Sequence, residues 1–99
     1  MFGKPKFHEL PVPDDAKKFG GHEIARAVMV RDSLQVSLQK GFEDPISWGI
    51  VLADIAHHVA RLFEQEKVCS EQQALQRIRD VFIVEMDKPT DLGKTNKVS

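Results

Sequence analysis

Apolar and polar residues alternate in two neighbouring segments of the N-terminal half of the chain. Residues 23–31 read EIARAVMVR and residues 34–39 read LQVSLQ. A period of two is typical of β-strands with one buried face, and the Asp32-Ser33 pair between the segments favours a turn. The pattern therefore predicts a β-hairpin.

The two faces of this hairpin differ in an unusual way. Six apolar residues share the predicted inner face: Ala25, Ala27, Met29, Leu34, Val36 and Leu38. The outer face of the second strand is polar, whereas Ile24, Val28 and Val30 lie on the outer face of the first. An antiparallel sheet with one solvated face is ordinarily polar there. The hairpin is thus expected to need cover on both faces.

A helical period begins after the hairpin. Asp44 and Pro45 favour a helix start, because the carboxylate can accept the first amide hydrogen bonds and proline suits the first helical position. This first helix is predicted to run to about residue 67, with an apolar face that includes Trp48 and Leu52. A row of small residues lies beside that face: Gly49, Ala53, Ala56 and Ala60. Such a row favours close helix packing, either within the chain or with a second chain.

A second helix follows after a short linker. Ser70 and Gln73 form a capping-box pattern, so the helix is predicted from Glu71 to about Met86. The short linker implies an antiparallel or steeply crossed helix pair. The predicted fold class is α+β, a hairpin followed by two helices (ββαα), with the hairpin packed on the helix pair.

The two ends of the chain differ from this central region. Residues 1–22 contain three prolines together with apolar residues such as Phe7 and Leu10, which predicts an extended arm lying against the body. Residues 88–99 hold little to bury and predict a flexible tail. Residues 23–87 are therefore expected to form the single α+β domain.

Composition narrows the classes of function. The chain has 99 residues and a formal net charge of -1, which argues against nucleic acid or anionic lipid as a partner. Its one cysteine, Cys69, cannot form an internal disulfide, and no apolar run is long enough to cross a membrane. A cytoplasmic protein with no membrane association is expected.

The polar face of the first helix carries the main candidates for site chemistry, Asp54, His57 and His58. Asp54 and His58 are one turn apart and could supply two ligands to a metal ion, but no third ligand is fixed by the pattern. A solvated helix face explains the same residues. No catalytic residue, cofactor or metal is predicted, and a small metal-binding protein or enzyme that uses these three side chains remains the alternative.

Several segments resemble a bacterial family of short proteins known as a domain of unknown function. The similarity runs from Phe7 to Thr90 and is strongest in Trp48-Gly49, in LAD and HVAR of the first helix, and in Ile78-Arg79. The resemblance implies one domain of bacterial origin and carries no catalytic residue, ligand or partner to this chain.

These observations favour a non-catalytic interaction or regulatory module that forms a homodimer and binds an unknown protein partner. The structured body is small, and the LQVSLQ strand has no charge or proline to block pairing with another strand. The dimer is expected to join through the hairpin, by its edge or its outer face. The predicted interface residues are Ile24, Val28, Val30, Gln35 and Ser37. The competing hypothesis is a monomer whose arm covers the same surfaces.

Overall fold

Six elements follow one another in the computed structural model, which describes residues 3–98. They are α1 (Asp14–Phe19), β1 (Ala25–Val30), β2 (Ser33–Leu38), α2 (Pro45–Gln65), α3 (Glu71–Asp87) and β3 (Lys94–Lys97). The hairpin followed by two long helices confirms the predicted α+β class. The predicted arm and tail include positions 1, 2 and 99, which lie outside the described residues.

The hairpin turn is made by Arg31 and Asp32, whose φ angles of 49° and 65° are both positive. Two positive φ angles give a turn that twists in the same sense as the strands, and it forms here although neither residue is glycine or asparagine. The turn lies one residue earlier than the predicted Asp32-Ser33. Cross-strand pairing of Met29 with Leu34 and Ala27 with Val36 keeps the predicted inner-face residues on one face.

Both long helices begin where their capping residues predict. The Asp44 carboxylate accepts a hydrogen bond from the Ile46 amide at 2.9 Å, with Pro45 as the first helical residue. The Ser70 hydroxyl accepts from the Gln73 amide at 3.1 Å, and the Gln73 side chain accepts from the Ser70 amide at 3.2 Å. These hydrogen bonds satisfy amides that have no partner within their own helix.

The helix pair packs near its junction. Ala60 of α2 and Ala74 of α3 are 0% and 4% exposed, and they are the two buried hydrophobic residues of the described chain. Within the row of small residues, Ala60 is buried and Ala56 half-buried, while a Cβ placed on Gly49 would meet nothing within 4 Å. The row therefore packs within the chain over half of its length only.

The sheet does not pack on the helix pair, so this part of the predicted architecture is wrong. Among residues 3–98, no Cα atom of the sheet lies within 8 Å of a Cα atom of α2 or α3. The radius of gyration is 15.9 Å, against about 13 Å for a compact domain of this length. The Trp48 indole donates to the Lys40 carbonyl at 2.7 Å, and its ring meets the edge of Phe42. These contacts hold the β2–α2 linker against the first turn of α2, and the linker separates the sheet from the helix pair.

The end of the chain differs from the predicted flexible tail. β3 pairs in parallel with β2, giving a sheet in the order β1-β2-β3. Glu85 fixes the preceding reversal, because its carboxylate accepts from the Thr90 amide at 2.7 Å and the Thr90 hydroxyl at 2.5 Å. The unpaired edge of β2 supplies the hydrogen-bond partners that a solvated tail would lack. Composition cannot reveal this pairing, since all four residues of β3 are exposed.

The arm also contains a short helix that the sequence analysis did not predict. α1 follows Pro13, whose carbonyl accepts from the Ala16 amide at 3.0 Å, and it ends at Gly20 with a φ of 82°. Proline is tolerated before a helix because its missing N–H is not needed there. The acidic first turn and basic last turn match the helix dipole.

We predict that Gly93→Ala detaches β3 from the sheet. Gly93 has a φ of 66°, and a Cβ at this position would overlap the Leu34 carbonyl oxygen. Hydrogen exchange should then become faster at the β2 amides that face β3. Gly21→Ala is the control, because Gly21 has open space around its Cα atom. Equal exchange in both variants would contradict the docking of β3.

We predict that the Glu85–Thr90 hydrogen bonds make stability depend on pH. The Thr90 hydroxyl, and then the Thr90 amide, lower the pKa of Glu85 below its ordinary value of 4.5. A lowered pKa stabilises the folded state above pH 4.5, and this contribution is lost as the pH falls through the lowered pKa. The melting temperature of Glu85→Gln should therefore be lower than wild type at neutral pH and approach it in acid. Glu66→Gln, at the exposed end of α2, should leave the profile unchanged.

Candidate functional site

The free edge of β1 carries unpaired backbone groups. In the hairpin, the backbone N–H and C=O groups of Arg26 and Val28 point toward β2. The hydrogen bond from the Gln39 amide to the Ile24 carbonyl, at 3.0 Å, fixes this alternation. The N–H and C=O groups of Ala25, Ala27 and Met29 consequently point away from β2. Among residues 3–98, no backbone hydrogen bond joins the arm to these groups. They form an open strand edge.

The two outer edges of the sheet are chemically different. β3 is four residues long and carries Lys94 and Lys97, and lysine on a short strand discourages pairing with another chain. β1 is six residues long, and its outward-pointing backbone belongs to two alanines and a methionine. The sequence pattern predicts that the edge of LQVSLQ is free for another chain. In the structure β2 is the central strand, and β3 pairs with that edge. The unprotected edge of the sheet is therefore β1.

The predicted inner face of the hairpin is uncovered. We call it the apolar sheet face, and it consists of Ala25, Ala27, Met29, Leu34, Val36 and Leu38. Met29 is 65% exposed and Leu34 is 43% exposed. The alternation that predicts a buried face is present, yet no element of the described chain packs on it. A surface of this kind is typical of an interaction site.

The helix pair has uncovered apolar residues as well. Exposed apolar side chains of α2 include Ile50, Leu52, Ile55 and Leu62, and those of α3 include Val81, Phe82, Ile83 and Val84. In α3 they follow Ile78, beyond the part of the helix that packs on α2 near the junction. Both halves of the fold thus expose apolar surface, and neither covers the other.

The arm covers part of the outer face of β1. Arg26 links the two segments: its guanidinium lies 2.8 Å from a Glu9 carboxylate oxygen and 5.9 Å from the centre of the Phe7 ring. Arg26 also binds Glu23 through two hydrogen bonds of 3.1 Å. The Glu23 hydrogen bonds, and then the charges of Glu23 and Glu9, raise the pKa of Arg26 above its ordinary value. The arm is thus attached to β1 through Arg26, which pairs with the Glu9 carboxylate and lies near the Phe7 ring.

A groove separates the arm from β1. Its volume is about 1150 Å³, and its walls are residues 5–13 of the arm and all six residues of β1. Successive strand residues point to opposite faces, so a groove that touches all of them opens onto the strand edge. The arm therefore leaves space beside the open edge.

The predicted interface residues occupy two strands and the residue before β1. Ile24 and Val28 are half-buried, and Val30 is 39% exposed. Gln35 and Ser37 are half-buried on the central strand, each directly opposite a β1 residue. Their role in an interface stays a prediction. The pairing of β3 beside Gln35 and Ser37, which the sequence did not reveal, occupies the edge of the strand that carries them.

The predicted metal-site alternative has no assembled ligand set in the described chain. Asp54, His57 and His58 lie exposed on α2. In residues 3–98, no three His, Cys, Asp or Glu side chains are grouped closely enough to hold a metal ion. Arg61, one turn after His57 on α2, lies 3.6 Å from a Glu71 carboxylate oxygen of α3. The free thiol of Cys69 is half-buried at the helix junction.

Comparison with known proteins identifies the family. The model of a domain of unknown function, DUF5076, matches residues 9–90. The chain belongs to this family. The match confirms the resemblance seen in the sequence, and the family assigns no activity to its members.

A solved structure is similar over the whole chain. It comes from the photosynthetic bacterium Rhodopseudomonas palustrus and carries the provisional description of a pyruvate dehydrogenase. The two chains are 34% identical with a TM-score of 0.73, and the similarity covers 99% of this chain and 100% of the other. No curated protein matches. Within residues 3–98, no helix combines the length and apolar character that crossing a bilayer requires.

We predict that Glu9→Gln loosens the arm without unfolding the body. The loss of an exposed ion pair is expected to raise the population of the open arm by up to about fivefold. Trypsin should then cleave after Lys6 up to about fivefold faster than in wild type. Glu43→Gln, which breaks the exposed pair with Lys40, is the matched control. The prediction is wrong if cleavage after Lys6 is equally fast in both variants.

Proposed function

We propose that this protein is a non-catalytic interaction module that works as a homodimer. One observation carries the proposal: a single chain leaves the apolar sheet face and much of the apolar surface of the helix pair uncovered. A second copy can cover these surfaces with no other gene product, and two-fold dimers are the commonest assemblies of identical chains. A regulatory role through an unknown protein partner is compatible with such a module.

The small amount of apolar burial within one chain favours a permanent partner. Burial of a valine, leucine or phenylalanine side chain contributes about 1.5–3 kcal/mol. Among residues 3–98, the buried hydrophobic residues are Ala60 and Ala74, which have little surface to remove from water. A chain of this kind depends on association for its stability, as obligate homodimers do. Self-association is therefore the first property expected of the module.

The alternative function, a metal-binding protein or enzyme acting through Asp54, His57 and His58, has less support. These side chains are exposed on one helix, so a third metal ligand must come from elsewhere. The description of the Rhodopseudomonas protein does not change this ranking, because a shared fold does not carry an activity with it. We propose no dehydrogenase activity for this chain. A bacterial cytoplasm remains the proposed location, in line with the free thiol of Cys69.

Light scattering during size-exclusion chromatography tests the proposal. We expect about 22 kDa, twice the chain mass of 11.2 kDa, across micromolar concentrations. Leu34→Lys should lower this mass, since it places a charge on the apolar sheet face. Gln35→Lys, on the opposite face of β2, is the matched control and should leave the dimer intact.

The outcomes separate the hypotheses. A wild-type mass of one chain would overturn the dimer. A dimer that is lost only in Gln35→Lys would place the contact on the outer face, where Gln35 and Ser37 were predicted to act. Stoichiometric metal in untagged protein, lost in His57→Ala/His58→Ala, would favour the alternative.

A further inference from the structure

We propose that two copies join by antiparallel pairing of β1 with β1, with the two-fold axis at Ala27, so that two three-stranded sheets become one of six strands. This inference rests on the proposed homodimer and specifies its contact. It moves the edge contact from LQVSLQ, which β3 already covers, to the opposite side of the sheet.

The backbone of β1 has the hydrogen-bonding groups that such a pair needs. Ala25, Ala27 and Met29 present three N–H and three C=O groups on the open edge, as derived from the hairpin register. An unpaired strand edge is a template for another strand, and the usual protections are proline, edge lysines, bulges or a covering loop. β3 has lysines at the other edge of the sheet, whereas β1 has no proline, lysine or bulge, and among residues 3–98 no backbone hydrogen bond joins the arm to it.

Two-fold symmetry and charge select the register. With the axis at Ala27, that residue faces its own copy, and Ala25 faces Met29 of the second copy. The backbone groups of all three edge residues then form hydrogen bonds with β1 of the second copy. On the other face, Arg26 lies opposite Val28, so no like charges meet.

The neighbouring registers are less favourable. An axis at Arg26 would set two guanidinium groups directly opposite each other, and like charges at that spacing are destabilising. An axis at Val28 would pair Ala25 with Arg31, which lies in the turn and has a φ of 49°. The register centred on Ala27 avoids both penalties.

The surroundings of the edge admit a second strand. The groove of about 1150 Å³ between the arm and β1 is lined by all six residues of the strand. The Glu9 and Phe7 contacts attach the arm through the Arg26 side chain, and among residues 3–98 no backbone hydrogen bond joins the arm to β1. Joining the sheets also makes the two apolar sheet faces continuous, which enlarges the surface that the helix pairs can cover.

Disulfide trapping tests this register. In a Cys69→Ser background, Ala27→Cys should crosslink two chains, because facing hydrogen-bonded residues have Cα atoms about 5.5 Å apart, within disulfide range. Met29→Cys alone is the matched control, since the two copies would be roughly 14 Å apart along the strands. Mixing Ala25→Cys with Met29→Cys chains should restore the crosslink. We expect Ala27→Cys to react at least about tenfold faster than Met29→Cys, as an effectively intramolecular reaction.

Amide hydrogen exchange in the unsubstituted protein gives a second measurement. The amides of Ala25, Ala27 and Met29 should be protected in the dimer, and dilution that dissociates it should remove the protection. Slow exchange together with the Ala27→Cys crosslink supports the inference. A dimer of about 22 kDa whose three amides exchange freely, or in which Met29→Cys crosslinks as fast as Ala27→Cys, overturns this contact and leaves the homodimer standing. A monomeric mass overturns both.

Discussion

The separation of the sheet from the helix pair is the constraint on which the rest of this structure depends. The linker between β2 and α2 is held by the Trp48 indole, which donates to the Lys40 carbonyl and meets the edge of Phe42. In the part of the chain that the structure describes, neither long helix packs against the apolar sheet face. The alternation that ordinarily builds a hydrophobic core instead builds a surface that can be covered from outside.

The sheet itself is completed by the chain end that composition marks as a tail. β3 adds to β2 through backbone hydrogen bonds, and all four of its residues are exposed. The reversal depends on local geometry: Glu85 binds Thr90, and Gly93 passes so close to the Leu34 carbonyl that only glycine fits. With β2 in the centre, β1 is the edge that remains for another chain. The same placement brings the arm beside β1, where Arg26 anchors it.

Membership of the DUF5076 family adds a fold and no chemistry, so functional inference has to come from surfaces. The polar face of α2 presents Asp54, His57 and His58 separately to solvent, whereas the apolar sheet face and the edge of β1 are adjacent and unpartnered. The proposed homodimer uses both features at once. A role as an interaction module fits this distribution of polar and apolar groups better than catalysis does.

Local sequence determined the hairpin and the two long helices, because each of them is specified by neighbouring residues. Alternation predicts the hairpin faces, Asp44-Pro45 predicts the start of α2, and Ser70 with Gln73 predicts the start of α3. The turn was predicted one residue late, since Arg31 and Asp32 adopt positive φ angles that their residue types do not favour. Only the tertiary structure decided that β3 fills the edge of β2 and that the sheet stands away from the helices. The pairing of β3 and the position of the sheet depend on backbone hydrogen bonds and linker geometry, which the pattern of apolar side chains does not specify.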